Sequence, residues 1–242
     1  MIIIILGMHR SGTSTVAGVL HLNKVAMGTY QNFWPRPLNQ NPKGFYENYD
    51  FRKINDQLLK NAGYDVKSYL ADIPSPESTI RIEEKMKKLI LGNINNHSDW
   101  GWKDPRTCLT IQIWSSLFTE LNLRNEVKIV FVSRSPISTA RSLNKRNELP
   151  LEDGVQLWKT YNERALKFCE NSKYPIYYCS FEDILKNPIY VCNQLFQFLE
   201  RDWDKSVVNQ FIDSSISTND KGEDIELSKD ILNLEKKISL LS

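Results

Sequence analysis

Ile2, Ile3, Ile4, Ile5 and Leu6 form an unbroken apolar run that stops at Gly7. A short β-branched run bounded by glycine predicts a strand buried on both faces of a parallel sheet. A polar, glycine-bearing turn follows, and Val16-Ala17-Gly18-Val19-Leu20 then predicts a helix over 14–22. A second buried strand is predicted over 127–132 (Val-Lys-Ile-Val-Phe-Val), ending in Ser133-Arg134-Ser135-Pro136, with a helix to about 146. Residues 175–180 predict a third, and residues 100–106 a short strand running into a turn.

Helical spacing marks the rest. Phe51, Ile54 and Leu58 recur at 3 and 4 and predict a helix over 50–62, closed by Gly63. Ile80, Ile82, Met86, Leu89 and Ile90 predict another over 76–95, with Ser75 as its cap. Further helices are predicted over 109–121, 151–170, 181–185, 188–199 and 204–212, and 64–75 reads as loop. Residues 29–48 carry Pro35, Pro37, Pro42 and Gly44 and read as irregular. They also carry Tyr30, Phe33, Trp34 and Phe45, apolar surface that argues for a functional loop rather than a disordered one. Residues 214–224 are polar. Leu227, Ile231, Leu234, Ile238 and Leu241 then predict a terminal amphipathic helix, covered by the body of the protein or by a homodimer partner. Strands alternating with helices predict an α/β fold of three layers, α/β/α, around a mainly parallel sheet, with ligands at the strands' carboxyl ends.

Composition narrows the class. A chain of 242 residues without linker or repeat is expected to form a single domain over 1–242. A net charge of +2 argues against a general polyanion binder, so no nucleic-acid partner is expected. No apolar run approaches the roughly 18 residues of a membrane span, and the N-terminus lacks the basic start of a signal peptide. Cys108, Cys169, Cys179 and Cys192 have no metal-like spacing and read as buried free thiols, which suggests a reducing, cytoplasmic compartment.

The chemistry sits at the strand ends. A strand, a glycine turn and a helix N-terminus together cradle phosphate through inward backbone N–H groups and the helix dipole. Residues 7–14 nearly match the P-loop pattern G-x-x-x-x-G-K-[ST]. Gly7, Gly12 and Ser14 are in register, but Thr13 replaces the lysine and a cation appears earlier, as Arg10. The 127–132 strand ends in Ser133 and Arg134, where a triphosphatase would carry a magnesium-binding aspartate. Arg10, Lys103 with Arg106, and Arg134 therefore place cations at strand ends, a site for several anionic groups with no metal in it.

Gly7-Met8-His9-Arg10-Ser11-Gly12-Thr13-Ser14 resembles the 5′-phosphosulfate loop of sulfotransferases that use 3′-phosphoadenosine-5′-phosphosulfate (PAPS). Arg134, with Ser142 eight residues on, is similar to that family's clasp for the 3′-phosphate. Trp102-Lys103-Asp104-Pro105-Arg106 resembles the lysine-aspartate-proline segment of tyrosylprotein and bacterial members, where the lysine meets the sulfuryl group. Residues 181–188 and 42–48 resemble two further family segments, the second carrying a candidate base, Glu47.

The resemblance implies a P-loop NTPase-like sulfotransferase fold and in-line sulfuryl transfer from PAPS to a hydroxyl or amine of a carbohydrate or other small molecule. The product nucleotide is adenosine 3′,5′-bisphosphate. It implies catalytic roles for Arg10, Glu47 and Lys103, and donor binding by Arg10, Ser11, Gly12, Thr13, Ser14, Thr15, Arg134 and Ser142. Arg10 in place of the loop lysine of many cytosolic members, and the lack of a matched histidine base, move the chain toward the tyrosylprotein and bacterial branches. Lys221-Gly222 stands where members carry a loop that closes over the nucleotide. Plainer roles stay open. Asp104 could only pin Arg10 or Arg106, Glu47 could only orient a cation, and His9 could only position backbone. Tyr30 and Trp34 could line an acceptor pocket or pack in the core. An ATP-magnesium kinase and a non-catalytic nucleotide-binding module are the alternatives.

Overall fold

The computed structural model describes residues 1–29, 33–34 (as backbone), 41, 43–212 and 225–242. Chain order is β1 (Ile2–Leu6), α1 (Thr13–Leu22), β2 (Phe33–Trp34), β3 (Glu47–Asn48), α2 (Tyr49–Asn61), α3 (Ile80–Asn96), β4 (Trp100–Lys103) and α4 (Thr107–Glu120). Then follow β5 (Val127–Ser133), α5 (Pro136–Asn147), α6 (Leu151–Asn171), β6 (Ile176–Ser180), α7 (Phe181–Lys186), α8 (Pro188–Leu199), α9 (Lys205–Phe211) and α10 (Lys229–Ser239).

Four strands make a parallel sheet in the order β4-β1-β5-β6. β1 lies inside it, with Ile4 paired to Trp102 on one side and to Ile129 on the other. Side chains alternate across a strand, so the apolar run feeds two cores. Ile2, Ile4 and Leu6 join the core of α2–α6 and α10, while Ile3 and Ile5 join that of α1, α8 and α9. This is the three-layer α/β/α arrangement expected from the alternation of strands and helices.

Two sequence expectations change. α3 starts at Ile80 rather than 76, because Thr79, not Ser75, caps it by accepting the Ile82 N–H at 3.4 Å. Residues 47–48 are not irregular: they pair antiparallel with 33–34, a ribbon too short to leave a period-2 pattern. The terminal helix buries Ile231, Leu234 and Ile238 and packs against α6 of the same chain. A homodimer through it would have to use what remains outside, such as Leu240. The expectations placed on Tyr30, Pro35, Pro37, Pro42, the Trp34 side chain and residues 214–224, Lys221-Gly222 included, lie outside the described residues. Among the described residues, no helix is long and apolar enough to cross a membrane.

Candidate active site

β1 delivers its carboxyl end to the middle of the sheet, flanked by the ends of β4 and β5. The turn that follows is tight for identifiable reasons. A Cβ on Gly7 would sit 2.5 Å from the Val132 carbonyl oxygen and 2.5 Å from the Thr13 methyl. The Gly7 N–H donates to the Cys108 thiol at 3.1 Å, and the Ser11 N–H closes the turn on the Met8 carbonyl at 3.3 Å. Arg10 takes φ +68, a left-handed conformation that costs a non-glycine residue about 1 kcal/mol or more. Gly12 caps α1 at φ +82, and a Cβ there would meet the Phe181 ring at 2.1 Å. A glycine cap offers no side-chain oxygen; the Thr15 and Val16 N–H groups turn back to the Gly12 carbonyl at 2.9 and 3.4 Å, which leaves those of Thr13 and Ser14 for an outside acceptor.

That helix end forms one wall of a cavity of about 430 Å³. Its lining brings together Arg10, Lys43, Lys103, Arg134, Lys145 and Arg146 against, among the described residues, one carboxylate, Glu47. Burial, and then the charges of Arg146 and Arg134, pull the Arg10 guanidinium down to about 10. Burial likewise lowers Arg134, against a smaller opposing pull from Glu182. Cations forced together out of water destabilise one another, and a bound anion relieves that cost.

The cations divide into two corners. In the first, Arg10 Nε donates to Ser142 Oγ at 2.8 Å, and Arg134 donates to the Arg10 carbonyl at 3.0 Å while lying over the Phe181 ring. In the second, Lys103 Nζ donates to Glu47 Oε1 at 2.9 Å and to Ser14 Oγ at 3.2 Å. Lys103 is only 1% exposed. Burial lowers its ammonium, and Glu47 partly offsets that.

Arg10, Arg134 and Ser142 thus converge, although the serine meets Arg10 rather than Arg134. Gly12, Thr13, Ser14 and Thr15 lie on the wall. Ser11 does not, since its N–H is used within the turn and its buried hydroxyl lies behind the wall. Asp104 pins Arg106, at 2.7 Å, and not Arg10. His9 lines the cavity edge-on to Tyr161 and Tyr69. Burial, reinforced by Arg106, drops its imidazole to about 3, so it is neutral.

Sequence reasoning missed Arg146 and Lys145, and gave Lys43 and Phe45 no role of their own within the 42–48 segment. A signal existed for Arg146: it stands four residues after Ser142, on the same helix face. Among the described residues, no cluster of three His, Cys, Asp or Glu side chains has the makings of a metal site.

The model of the sulfotransferase family matches residues 3–205. No curated protein matches the sequence. Solved structures of sulfotransferase domains share the fold. A sulfotransferase domain from the curacin biosynthetic pathway is 15% identical, with 98% of this chain and 96% of that one covered and a TM-score of 0.60. A sulfotransferase domain from the Synechococcus PCC 7002 olefin synthase is 16% identical, with 98% and 94% covered and a TM-score of 0.58.

Proposed function

The chain belongs to the sulfotransferase family, and from that premise we propose that it moves a sulfuryl group from PAPS to a hydroxyl or amine of a carbohydrate or other small molecule. The observation that carries this reading is the pair of corners in one cavity. Arg10, Arg134 and Ser142 meet in one, and Lys103 holds Glu47 at the mouth of α1 in the other. A donor with two separated anionic groups suits both the cations and the size of the cavity. When bound, it supplies a sulfuryl group on a phosphate leaving group.

The Thr13 and Ser14 N–H groups at the start of α1, with the Thr13, Ser14 and Thr15 side chains, would hold the 5′-phosphosulfate. Arg134 and Ser142 would hold the 3′-phosphate. Lys103 and Arg10 carry the positive charge that stabilises oxygens as they become more negative, a preorganised contribution of about 10²- to 10³-fold in rate for each donor. Glu47 takes the proton from the acceptor hydroxyl, and Lys103 keeps that carboxylate aimed into the cavity.

The test is an incubation of the protein with sulfur-labelled PAPS and a panel of sugars, phenols and amines. The reading expects label in an acceptor and release of adenosine 3′,5′-bisphosphate. Release of ADP from ATP-magnesium, with no bisphosphate released from PAPS, would instead support a kinase.

A further inference from the structure

Glu47 and Lys103 come from different parts of the chain. Glu47 lies in β3, a ribbon of two residues that runs directly into α2. Lys103 ends β4, in the rigid sheet. A two-residue strand cannot hold a catalytic carboxylate in register by itself. α2 meets β4 and its following turn in two successive rungs. Phe51 stacks on Trp102, with centroids 4.3 Å apart and planes 11° apart. One turn later comes Asn55, fully buried. Its amide nitrogen donates to Asp104 Oδ2 at 2.7 Å and to Thr107 Oγ1 at 3.1 Å. Its carbonyl oxygen accepts from Thr110 at 2.8 Å and from Trp114 at 2.9 Å. Every polar capacity of the side chain is used, and every partner lies just beyond Lys103, in the turn or in α4. A second strap lies outside it: Arg106 bridges Asp104 at 2.7 Å and Asp56 of α2 at 2.6 Å.

We propose that Asn55 is a positioning residue for sulfuryl transfer, latching α2 to the Asp104–Thr107 turn so that Glu47 stays in register with Lys103. This rests on the roles proposed above for Glu47 and Lys103. The latch is directional. Only a donor on Asn55 can face Asp104, whose carboxyl is charged: burial would raise it, but Arg106 and the Asn55 and Arg106 hydrogen bonds outweigh burial and leave it below its ordinary value. An ordinary core asparagine would stabilise the fold without favouring either end of the cavity. This one bonds the turn that directly follows Lys103, on the helix that directly follows Glu47.

The experiment is Asn55→Asp in the full chain. The substitution keeps the shape and the acceptor toward Thr110 and Trp114, but sets a second carboxylate against Asp104. Ionised together at that distance the two groups repel, so one of them takes up a proton at a higher pH than an isolated carboxylate would, as the pH is lowered from 8. Once one is protonated, its O–H restores the missing donor. The titratable groups around the pair are Arg106, Lys103 and Cys108 from the β4–α4 segment, Asp56 from α2, His9 from the glycine turn and Tyr161 from α6.

With PAPS turnover to water as the assay, N55D is expected to lose roughly 10²-fold at pH 8, the scale of a misplaced catalytic group, and to recover toward pH 6. Affinity for adenosine 3′,5′-bisphosphate should stay within about twofold. Independently of turnover, NMR of 13Cε-labelled lysine should show Lys103 titrating below its wild-type position, because Glu47 has moved away. Asp56→Asn, at the half-exposed end of the second strap, should shift both readouts the same way by less, and it covers the case in which N55D does not fold. An unchanged Lys103 titration in both variants, or a loss of bisphosphate affinity in step with turnover, would overturn the positioning role. Failure of the wild type to bind adenosine 3′,5′-bisphosphate would instead count against the sulfotransferase reading and leave the lysine titration as the test of the latch.

Discussion

The two ends of the cavity are built differently. The end proposed to take the donor is assembled from strand termini and a helix cap on the inner strands of the sheet. Gly7 and Gly12 have no room for a Cβ, and Arg134 bonds the backbone of the very turn it serves. The acceptor end hangs from a two-residue ribbon and is registered by side chains, namely the Lys103–Glu47 pair and the Asn55 network beneath it. Backbone geometry suits a nucleotide anion, whose shape never changes. Side-chain registration suits the role proposed for Glu47, a carboxylate that would meet acceptors of varied shape. The donor end should therefore respond to substitution through binding, and the acceptor end through turnover.

The largest effect should separate the ends most clearly. Glu47→Gln is expected to lower PAPS turnover by about 10²- to 10⁴-fold, the range for a general base, while calorimetry finds adenosine 3′,5′-bisphosphate bound almost as before. Turnover at the wild-type rate would remove Glu47 as the base. Arg10→Ala comes next. Arg10 joins the two functions, with its side chain on Ser142 and its backbone in the turn. It should cost about 10²- to 10³-fold in turnover and weaken nucleotide binding as well. A loss confined to turnover would place Arg10 at the sulfuryl group alone. Arg134→Ala should be the smallest and most selective. Loss of one charge-assisted contact, about 1.5 to 3 kcal/mol, should weaken adenosine 3′,5′-bisphosphate and spare adenosine 5′-phosphosulfate. Equal losses for both ligands would refute its 3′-phosphate role.

The same division explains what the sequence disclosed. The sheet was legible because Ile2 to Leu6 and Ile129 to Val132 are apolar on both faces, a pattern that few other structures tolerate. The donor turn was legible because Gly7 and Gly12 are needed for local reasons, and local reasons leave local traces. Glu47 could be named from its segment, but its contact with Lys103 spans 56 positions and left no periodic sign. Asn55 was invisible for the same reason. Within the stripe of Phe51, Ile54 and Leu58 it looks like one more polar interruption of a helix, and only the fold brings it to Asp104. Asp104 itself was read with two partners open, and the structure gives it Arg106. Thr79 displaced Ser75 as the α3 cap because both are good capping residues, and choosing between them takes tertiary packing.

The central claim is that Arg10, Arg134 and Ser142 form a pocket for a 3′-phosphate beside a helix end that holds the 5′ group. Titration calorimetry on the wild-type protein, comparing adenosine 3′,5′-bisphosphate with adenosine 5′-phosphate, tests it directly. One charge-assisted phosphate contact of about 1.5 to 3 kcal/mol corresponds to at least tenfold tighter binding of the bisphosphate. Equal affinity for the two nucleotides would contradict it.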